Sequence, residues 1–159
     1  RWITGAAAAE RVLEDKSEAS KKTGLSIEEM CDVLSEELVK REWFVTGDVP
    51  RELFSSDFTF EDPDVKLSGI DNYARGVRRL FDQQTSRAEI VFCRVNGTKP
   101  DTITVVWRLE GKVNVGLGLK IKPYVVSTDL RVSPVTGLIE YQQDRFSLPG
   151  WDIFLSALF

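Results

Sequence analysis

The apolar residues of 26–41 recur at the period of an α-helix. Ser26 and Glu29 have the spacing of a capping box, and Lys40 and Arg41 lie at the end of a helix that favours positive charge. The apolar stripe of this predicted helix consists of Ile27, Met30, Cys31, Leu34 and Leu38. We therefore predict a capped helix that packs on a core, with Cys31 as a packed thiol rather than a reactive one.

A second stretch with helical period covers residues 69–84, and Ser68 is its predicted cap. Its apolar stripe consists of Ile70, Tyr73, Val77, Leu80 and Phe81. Between the two helices, Pro50 predicts a short helical turn that runs through Phe54, and residues 58–60 have the pattern of a strand. The first half of the chain is thus predicted to be mainly helical.

After residue 84 the period of the apolar positions changes to two. The alternation predicts four strands, at 87–95, 102–115, 123–132 and 138–147. Short turns join most of them, so neighbouring strands are expected to pair antiparallel, with a looser connection and a possible bulge at 116–118. Helices followed by a long meander indicate an α+β domain. Because long sheets twist and curl, we predict a half-open cone with a cavity between a curved antiparallel sheet and the helices.

The chain divides into three segments by composition. Its 159 residues suit one domain, which we place at 26–148. Residues 1–25 are predicted to be an extended arm or linker, because their apolar face is too small to stabilise them alone. Residues 149–159 form an apolar C-terminal tail. Since the chain begins at Arg1 and its one methionine is Met30, we expect a processed or trimmed product.

The absence of histidine from the sequence excludes several classes of chemistry. Ser-His-Asp and Cys-His nucleophiles, zinc sites built on histidine and haem held by an axial histidine all require that residue. The two cysteines, Cys31 and Cys93, are too few for a zinc site of cysteines alone and allow at most one disulfide. We expect no metal site and no cofactor.

Charge is distributed unevenly along a chain whose net charge is −4. Residues 26–64 carry a net charge of −9 and residues 65–125 a net charge of +6. Folding either separates these charges into a dipolar surface that steers a partner or intersperses them. A dedicated nucleic-acid protein would need a basic patch interleaved with exposed aromatics, which this pattern does not predict. The longest apolar run is also too short for a transmembrane span.

Three stretches carry a resemblance to a known family. They are Phe58 to Pro63 (FTFEDP), Lys122 to Tyr124 (KPY) and Asp144 to Leu155 (DRFSLPGWDIFL). With the order of elements over 26–159, they resemble the superfamily named for nuclear transport factor 2, which includes the SnoaL-like proteins, and within it an uncharacterised branch of plants, algae and cyanobacteria. The resemblance implies the cone fold and a plastid location, in the chloroplast stroma or at the thylakoid surface.

Enzymes of this superfamily mostly use carboxylates, tyrosines or His-Asp pairs inside the cone, so candidate groups are sought there. The ligand-cavity candidates are Tyr73, Trp107, Tyr141, Gln143 and Arg145. The last three alternate onto one face of the final strand, where they either line the cone and orient a ligand or face water as ordinary surface. Asp62 and Asp64 are also candidates, although turn formation around Pro63 explains them without chemistry. No catalytic residue is assigned.

The apolar tail is the most unusual feature of the sequence. If it is helical, Trp151, Phe154, Leu155 and Leu158 form one stripe that Ile153 widens. Such a stripe either folds back to plug the mouth of the cone or cover the sheet, or docks on a membrane protein or the bilayer interface. The predicted partner-docking residues are Trp151, Ile153, Phe154, Leu155, Leu158 and Phe159.

Three classes of function remain open. The expected one is a non-catalytic plastid module, an accessory subunit or assembly factor that docks on a larger thylakoid or photosynthetic complex through its arm and tail. The second is a carrier of a small lipophilic ligand in the cone cavity. The third is a SnoaL-like isomerase, cyclase or hydrolase, which would require a buried carboxylate whose pKa is raised.

Overall fold

A computed structural model describes residues 20–62, 65–114 and 116–146. Its helices are α1 (Ile27–Arg41), α2 (Trp43–Thr46) and α3 (Ile70–Leu80), with a 3₁₀ turn at Arg51–Leu53. Its strands are β1 (Phe54–Glu61), β2 (Lys66–Ser68), β3 (Arg87–Val95), β4 (Thr102–Val113), β5 (Leu119–Val132) and β6 (Ile139–Phe146). The predicted α+β cone is confirmed: the helices pack on one face of a curved six-stranded sheet.

Helix α1 has the bounds and the cap that its sequence predicts. The backbone N–H of Glu29 donates to Ser26 Oγ (3.1 Å), and the backbone N–H of Ser26 donates to the Glu29 carboxylate (2.8 Å). Four of the five stripe residues are buried as predicted, with Met30, Leu34 and Leu38 entirely removed from solvent, and Ile27 is half-buried. Local sequence signals therefore determine this element.

Helix α3 is shorter than predicted, and its predicted cap is wrong. It ends at Leu80 because the backbone of Phe81 becomes extended and bridges to Val113 of β4. At the other end, Ser68 belongs to β2, where it pairs with Thr59, and the residue that precedes the helix is Gly69. Contacts with distant strands therefore set both ends of this helix.

The sheet contains one parallel pair, which the predicted meander lacks. The strand order is β2-β1-β6-β5-β4-β3, and the β1–β6 pair is parallel, with Thr59 opposite Tyr141. The β3–β4, β4–β5 and β5–β6 pairs are antiparallel, as predicted, while β2, which was not predicted, pairs antiparallel with β1. A parallel pair needs a long crossover, which here comprises the whole chain from β2 to β5. It places the amino-terminal half of β6 beside β1, at the centre of the sheet.

The β4–β5 hairpin is longer than the alternation indicated. Strand β5 begins at Leu119 rather than at residue 123, because Leu119, Lys120 and Ile121 pair with residues of β4. The register shifts between Leu109 and Gly111, so the irregularity lies in β4 and not at 116–118. A Cβ at Gly111 would lie 2.4 Å from Ser86 Cα, so only glycine fits where the two segments approach.

One continuous core lies between the helices and the concave face of the sheet. Alternate residues of β4 enter it, namely Ile103, Val105, Trp107 and Leu109, as their period predicts. Around Trp43 and Phe58 the core is rich in aromatic rings that meet edge to face. This aromatic end of the core lies beside the cavity described below.

The segment before α1 runs along the surface of the domain. The backbone N–H of Lys22 donates to the carbonyl of Glu52 (2.8 Å), and that of Gly24 donates to the carbonyl of Thr136 (3.0 Å). The rest of the predicted arm, and all of the predicted tail, lie outside the described residues. Among the helices that the structure describes, none has the length and apolar character needed to cross a bilayer.

Candidate functional site

A narrow cavity lies between the sheet and the helices, called here the inner cavity. Its lining is mostly aromatic and aliphatic: Phe44, Phe60, Tyr73, Val77, Leu80, Phe81, Trp107, Asp144 and Phe146. It holds about 300 Å³ of atom-free space with its mouth included, of which about 20 Å³ admits the centre of a water molecule. Among the described residues that line the cavity, Asp144 is the one charged residue, so the chemistry of the cavity centres on it.

The Asp144 carboxyl is held by two donors. Thr128 Oγ1 donates to its Oδ1 (2.7 Å), and Gln142 Nε2 donates to the same oxygen (3.1 Å). The Thr128 hydroxyl in turn accepts a hydrogen bond from Trp107 Nε1 (2.9 Å). Both donors therefore bond to the same oxygen of the carboxyl. A line of hydrogen bonds therefore runs from the indole through the hydroxyl to the carboxyl.

Burial raises the pKa of Asp144 from 3.8 to about 6, since desolvation penalises the charged form. The hydrogen bonds from Thr128 and Gln142 oppose this shift, because they stabilise the carboxylate. The negative charges of Asp62 and Asp129 act with burial and raise the pKa further. The result is a carboxyl that can hold or release a proton near neutral pH.

A second hydroxyl lies next to this carboxyl. Gln142 Nε2 also donates to the phenol oxygen of Tyr73 (3.0 Å), so the amide joins Tyr73 to Asp144. Burial and the nearby Asp144 charge raise the pKa of Tyr73 well above its ordinary value, so its hydroxyl keeps its proton. Because the tyrosine oxygen accepts from Gln142, its own proton is available to another acceptor.

Gln142 carries an unusual buried atom. The residue is fully buried, and its Oε1 has no hydrogen-bond partner among the residues that the structure describes. An unsatisfied buried amide oxygen costs about 1–3 kcal/mol, so such atoms are rare in folded proteins. The polar cluster of Tyr73, Thr128, Gln142 and Asp144 thus has an energetic cost for the fold.

The structure separates the predicted ligand-cavity residues into two groups. Tyr73 and Trp107 line the inner cavity. Tyr141, Gln143 and Arg145 lie on the opposite face of the sheet, so their predicted place in the cavity is wrong. Side chains alternate along β6, and the buried positions are 142 and 144. The face of β6 that carries Tyr141, Gln143 and Arg145 is therefore directed away from the core, which is the second of the two predicted alternatives.

The outer-face residues belong to a shallow polar groove, lined by Lys99, Thr102, Asp129, Arg131, Tyr141 and Gln143. This groove is wider than the inner cavity, with about 230 Å³ open to water. Its charges already have partners, because Asp129 is bonded to Arg145 and lies 4.0 Å from Lys99, while Arg131 pairs with Glu140 (3.2 Å). The groove is therefore a solvated ion-pair network and not the better site.

Three residues of the site were not predicted from the sequence: Thr128, Gln142 and Asp144. The sequence does contain an indication of their position, because residues 142 and 144 lie on the same face of the final strand as the apolar Phe146. Which face of β6 is buried depends on its pairing with β1 and β5, and this pairing cannot be read from the local sequence.

Asp62 is buried and accepts a hydrogen bond from the backbone N–H of Val65 (3.0 Å), which fits its predicted role in a turn.

Other predictions about the site lie beyond what the structure describes. Asp64 and the docking residues Trp151, Ile153, Phe154, Leu155, Leu158 and Phe159 fall outside the described residues. The plastid docking role and the chloroplast location therefore stay predictions. Within residues 20–62, 65–114 and 116–146, no three His, Cys, Asp or Glu side chains converge as a metal site would require.

Solved structures share this architecture. A putative SnoaL-like polyketide cyclase from Jannaschia sp. CCS1 is similar with a TM-score of 0.57 and 18% identity, over 84% of this chain and 97% of that one. A nuclear transport factor 2-like protein of unknown function from Cytophaga hutchinsonii ATCC 33406 has a TM-score of 0.51 and 15% identity, over 84% and 98%. A de novo designed protein with a curved β-sheet has a TM-score of 0.55 and 17% identity, over 85% and 100%.

These similarities show the fold. The chain has the cone fold of nuclear transport factor 2-like and SnoaL-like proteins, as its resemblance implied. No protein-family model matches the sequence, and no curated protein matches it. The narrower resemblance to a plant, algal and cyanobacterial branch stays a prediction.

Proposed function

We propose that the inner cavity binds a small, mainly apolar carbonyl compound, and that Asp144 transfers a proton on it in an isomerase-like or cyclase-like reaction. The observation that carries this proposal is the buried Asp144 carboxyl, whose pKa is raised to about 6 inside an apolar lining. A carboxyl with this pKa is populated in both protonation states near neutral pH, which general acid–base catalysis needs.

The polar groups of the cavity suit a carbonyl oxygen. Protonated Asp144 and Tyr73 are both hydrogen-bond donors, and Gln142 links them through 3.0 and 3.1 Å contacts. A carbonyl oxygen that becomes an enolate accepts such bonds more strongly than the ground state does. Ionised Asp144 would instead take a proton from the carbon next to the carbonyl and return it to another carbon. A single carboxyl thus suffices for proton relocation.

The size of the cavity restricts the substrate. About 20 Å³ admits the centre of a water molecule, which is room for one or two waters between the side chains. A compound that fits is therefore small, or it inserts only its reacting end. The aromatic rings of Phe44, Phe60 and Trp107 favour an apolar body for that end.

The test is proton exchange in heavy water. Small cyclic and linear ketones are incubated with the protein, and deuterium incorporation next to the carbonyl is followed by NMR. We expect incorporation above the buffer rate, and Asp144→Asn to reduce the enzyme-dependent rate by at least about 100-fold. Glu89→Gln, which alters an exposed carboxyl on β3, should leave the rate unchanged.

Two results would contradict the proposal. In the first, ketones bind and shift the NMR resonances of the cavity without deuterium exchange, and Asp144→Asn binds them equally well. The protein would then be a carrier. A lipophilic compound that remains bound in native mass spectrometry would also indicate a carrier. If no ketone perturbs the resonances of Trp107 or Tyr73, the inner cavity is not the binding site for this class of compound.

A further inference from the structure

The two cysteines of the chain meet in the folded domain. Cys31 lies on α1 and Cys93 on β3, separated by 62 positions in the sequence, yet their sulfur atoms are 3.9 Å apart. Both are free thiols. A disulfide has a sulfur–sulfur distance of about 2 Å, so a shift of about that size would join them. The contact joins the first helix to the sheet.

The position of Cys93 allows such a shift. Among the strands that the structure describes, β3 is the last of the sheet, paired on one side with β4. Its register shifts between Ile90 and Phe92, immediately before Cys93. An edge strand with an irregular register adjusts more easily than a central strand. Cys31 is buried and Cys93 is half-buried, so a small reagent reaches Cys93 first.

We propose that Cys31 and Cys93 are a modification site, at which a small-molecule disulfide such as glutathione disulfide oxidises them to an intramolecular disulfide. The Cys93 thiolate attacks one sulfur of the reagent, which breaks the reagent's bond and releases one thiol. Cys31 loses its proton and attacks Cys93 Sγ, which forms the Cys31–Cys93 bond and releases the second thiol. The protein loses two electrons and two protons, and the reagent becomes two thiols.

The surroundings of Cys93 determine how this site behaves. Burial raises the pKa of the Cys93 thiol to about 12, so little of it is thiolate at neutral pH. The first step is therefore slow compared with an exposed cysteine. Because the finished bond is enclosed by α1 and β3, reductants reach it slowly as well. The site behaves as a cross-link that forms and breaks over long times rather than as a fast sensor.

The test uses the intact protein and glutathione disulfide. After incubation to completion, mass spectrometry should show the loss of about 2 Da, with one cross-linked peptide that contains both cysteines. The melting temperature should rise by roughly 5–15 °C, because the bond closes a long loop. Adding a dithiol reductant should reverse both changes. Cys93→Ser is the control and should show neither change.

Two results would overturn the proposal. One is a final product that carries a separate glutathione on each cysteine, because it would mean that the sulfurs do not reach each other. The other is a folded protein that stays reduced at completion while the same chain in denaturant is oxidised. Both results are measured on the protein without substitutions, so neither depends on how a variant folds.

Discussion

Asp144→Asn is expected to raise the free energy of unfolding by about 3 kcal/mol near pH 7.5 and to leave it almost unchanged near pH 3. The wild-type carboxyl is ionised at the higher pH although it is buried beside the negative charges of Asp62 and Asp129. Asparagine keeps an oxygen that accepts from Thr128 and Gln142 and removes the charge. Urea unfolding of both proteins at several pH values measures the difference.

The sign of this effect follows from the two pKa values of Asp144. The pKa is about 6 in the folded protein, against the ordinary value of 3.8 in the unfolded chain. Between these values the folded protein retains a proton that the unfolded chain has released, so stability falls as pH rises. The difference between these two pKa values corresponds to about 3 kcal/mol in the free energy of unfolding.

The control for this prediction is Glu89→Gln, which removes an exposed carboxyl of β3 and should change stability by less than about 0.5 kcal/mol at either pH. If Asp144→Asn destabilises the protein near pH 7.5 as much as near pH 3, the buried negative charge of Asp144 does not lower the stability of the folded protein. A gain in stability at the cost of activity is common where a polar group is buried for function.

Thr128→Val is expected to lower the free energy of unfolding by about 2–4 kcal/mol. The hydroxyl of Thr128 accepts from Trp107 Nε1 (2.9 Å) and donates to Asp144 Oδ1 (2.7 Å), and all three side chains are buried. Valine has nearly the same shape, so packing is preserved. The indole N–H loses its acceptor and the carboxyl loses a donor. Chemical denaturation at fixed pH measures the loss.

This variant should also change the titration of Asp144. The hydrogen bond from Thr128 lowers the pKa of the carboxyl, so its removal should move that pKa further above 6. Thr128→Ser keeps the hydroxyl and is the matched control, with a cost of about 1 kcal/mol for the lost methyl group. A valine variant as stable as the serine variant would show that this line of hydrogen bonds contributes little.

The elements that the sequence predicts best are those determined by near neighbours. Helix α1 has its capping box, its stripe and its basic end within sixteen residues, and the structure confirms each of them. The end of α3 could not be predicted in this way, because it depends on Phe81 pairing with Val113. The parallel β1–β6 pair is likewise formed by segments about eighty residues apart. Tertiary contacts override local propensity in both places.

The candidate site was predictable only in its apolar part. Tyr73 and Trp107 belong to apolar stripes, so their inward positions follow from the period of α3 and β4. Gln142 and Asp144 contradict the pattern, because a polar residue in a strand is ordinarily assigned to the solvent side. A sequence that departs from the expected pattern at a buried position commonly does so at a functional site. Here that departure marks the inner cavity.

The most direct test of the role of Asp144 is its own titration, followed by ¹³C NMR of the side-chain carboxyl between about pH 3 and pH 9. Comparison with Asp144→Asn assigns the resonance. A midpoint near 6 is the expected result, since burial raises the pKa of this group from 3.8 to about 6. A midpoint at or below 3.8 would mean that the carboxyl is fully ionised near neutral pH and cannot donate a proton to a carbonyl there, which would contradict the proposed chemistry of the inner cavity.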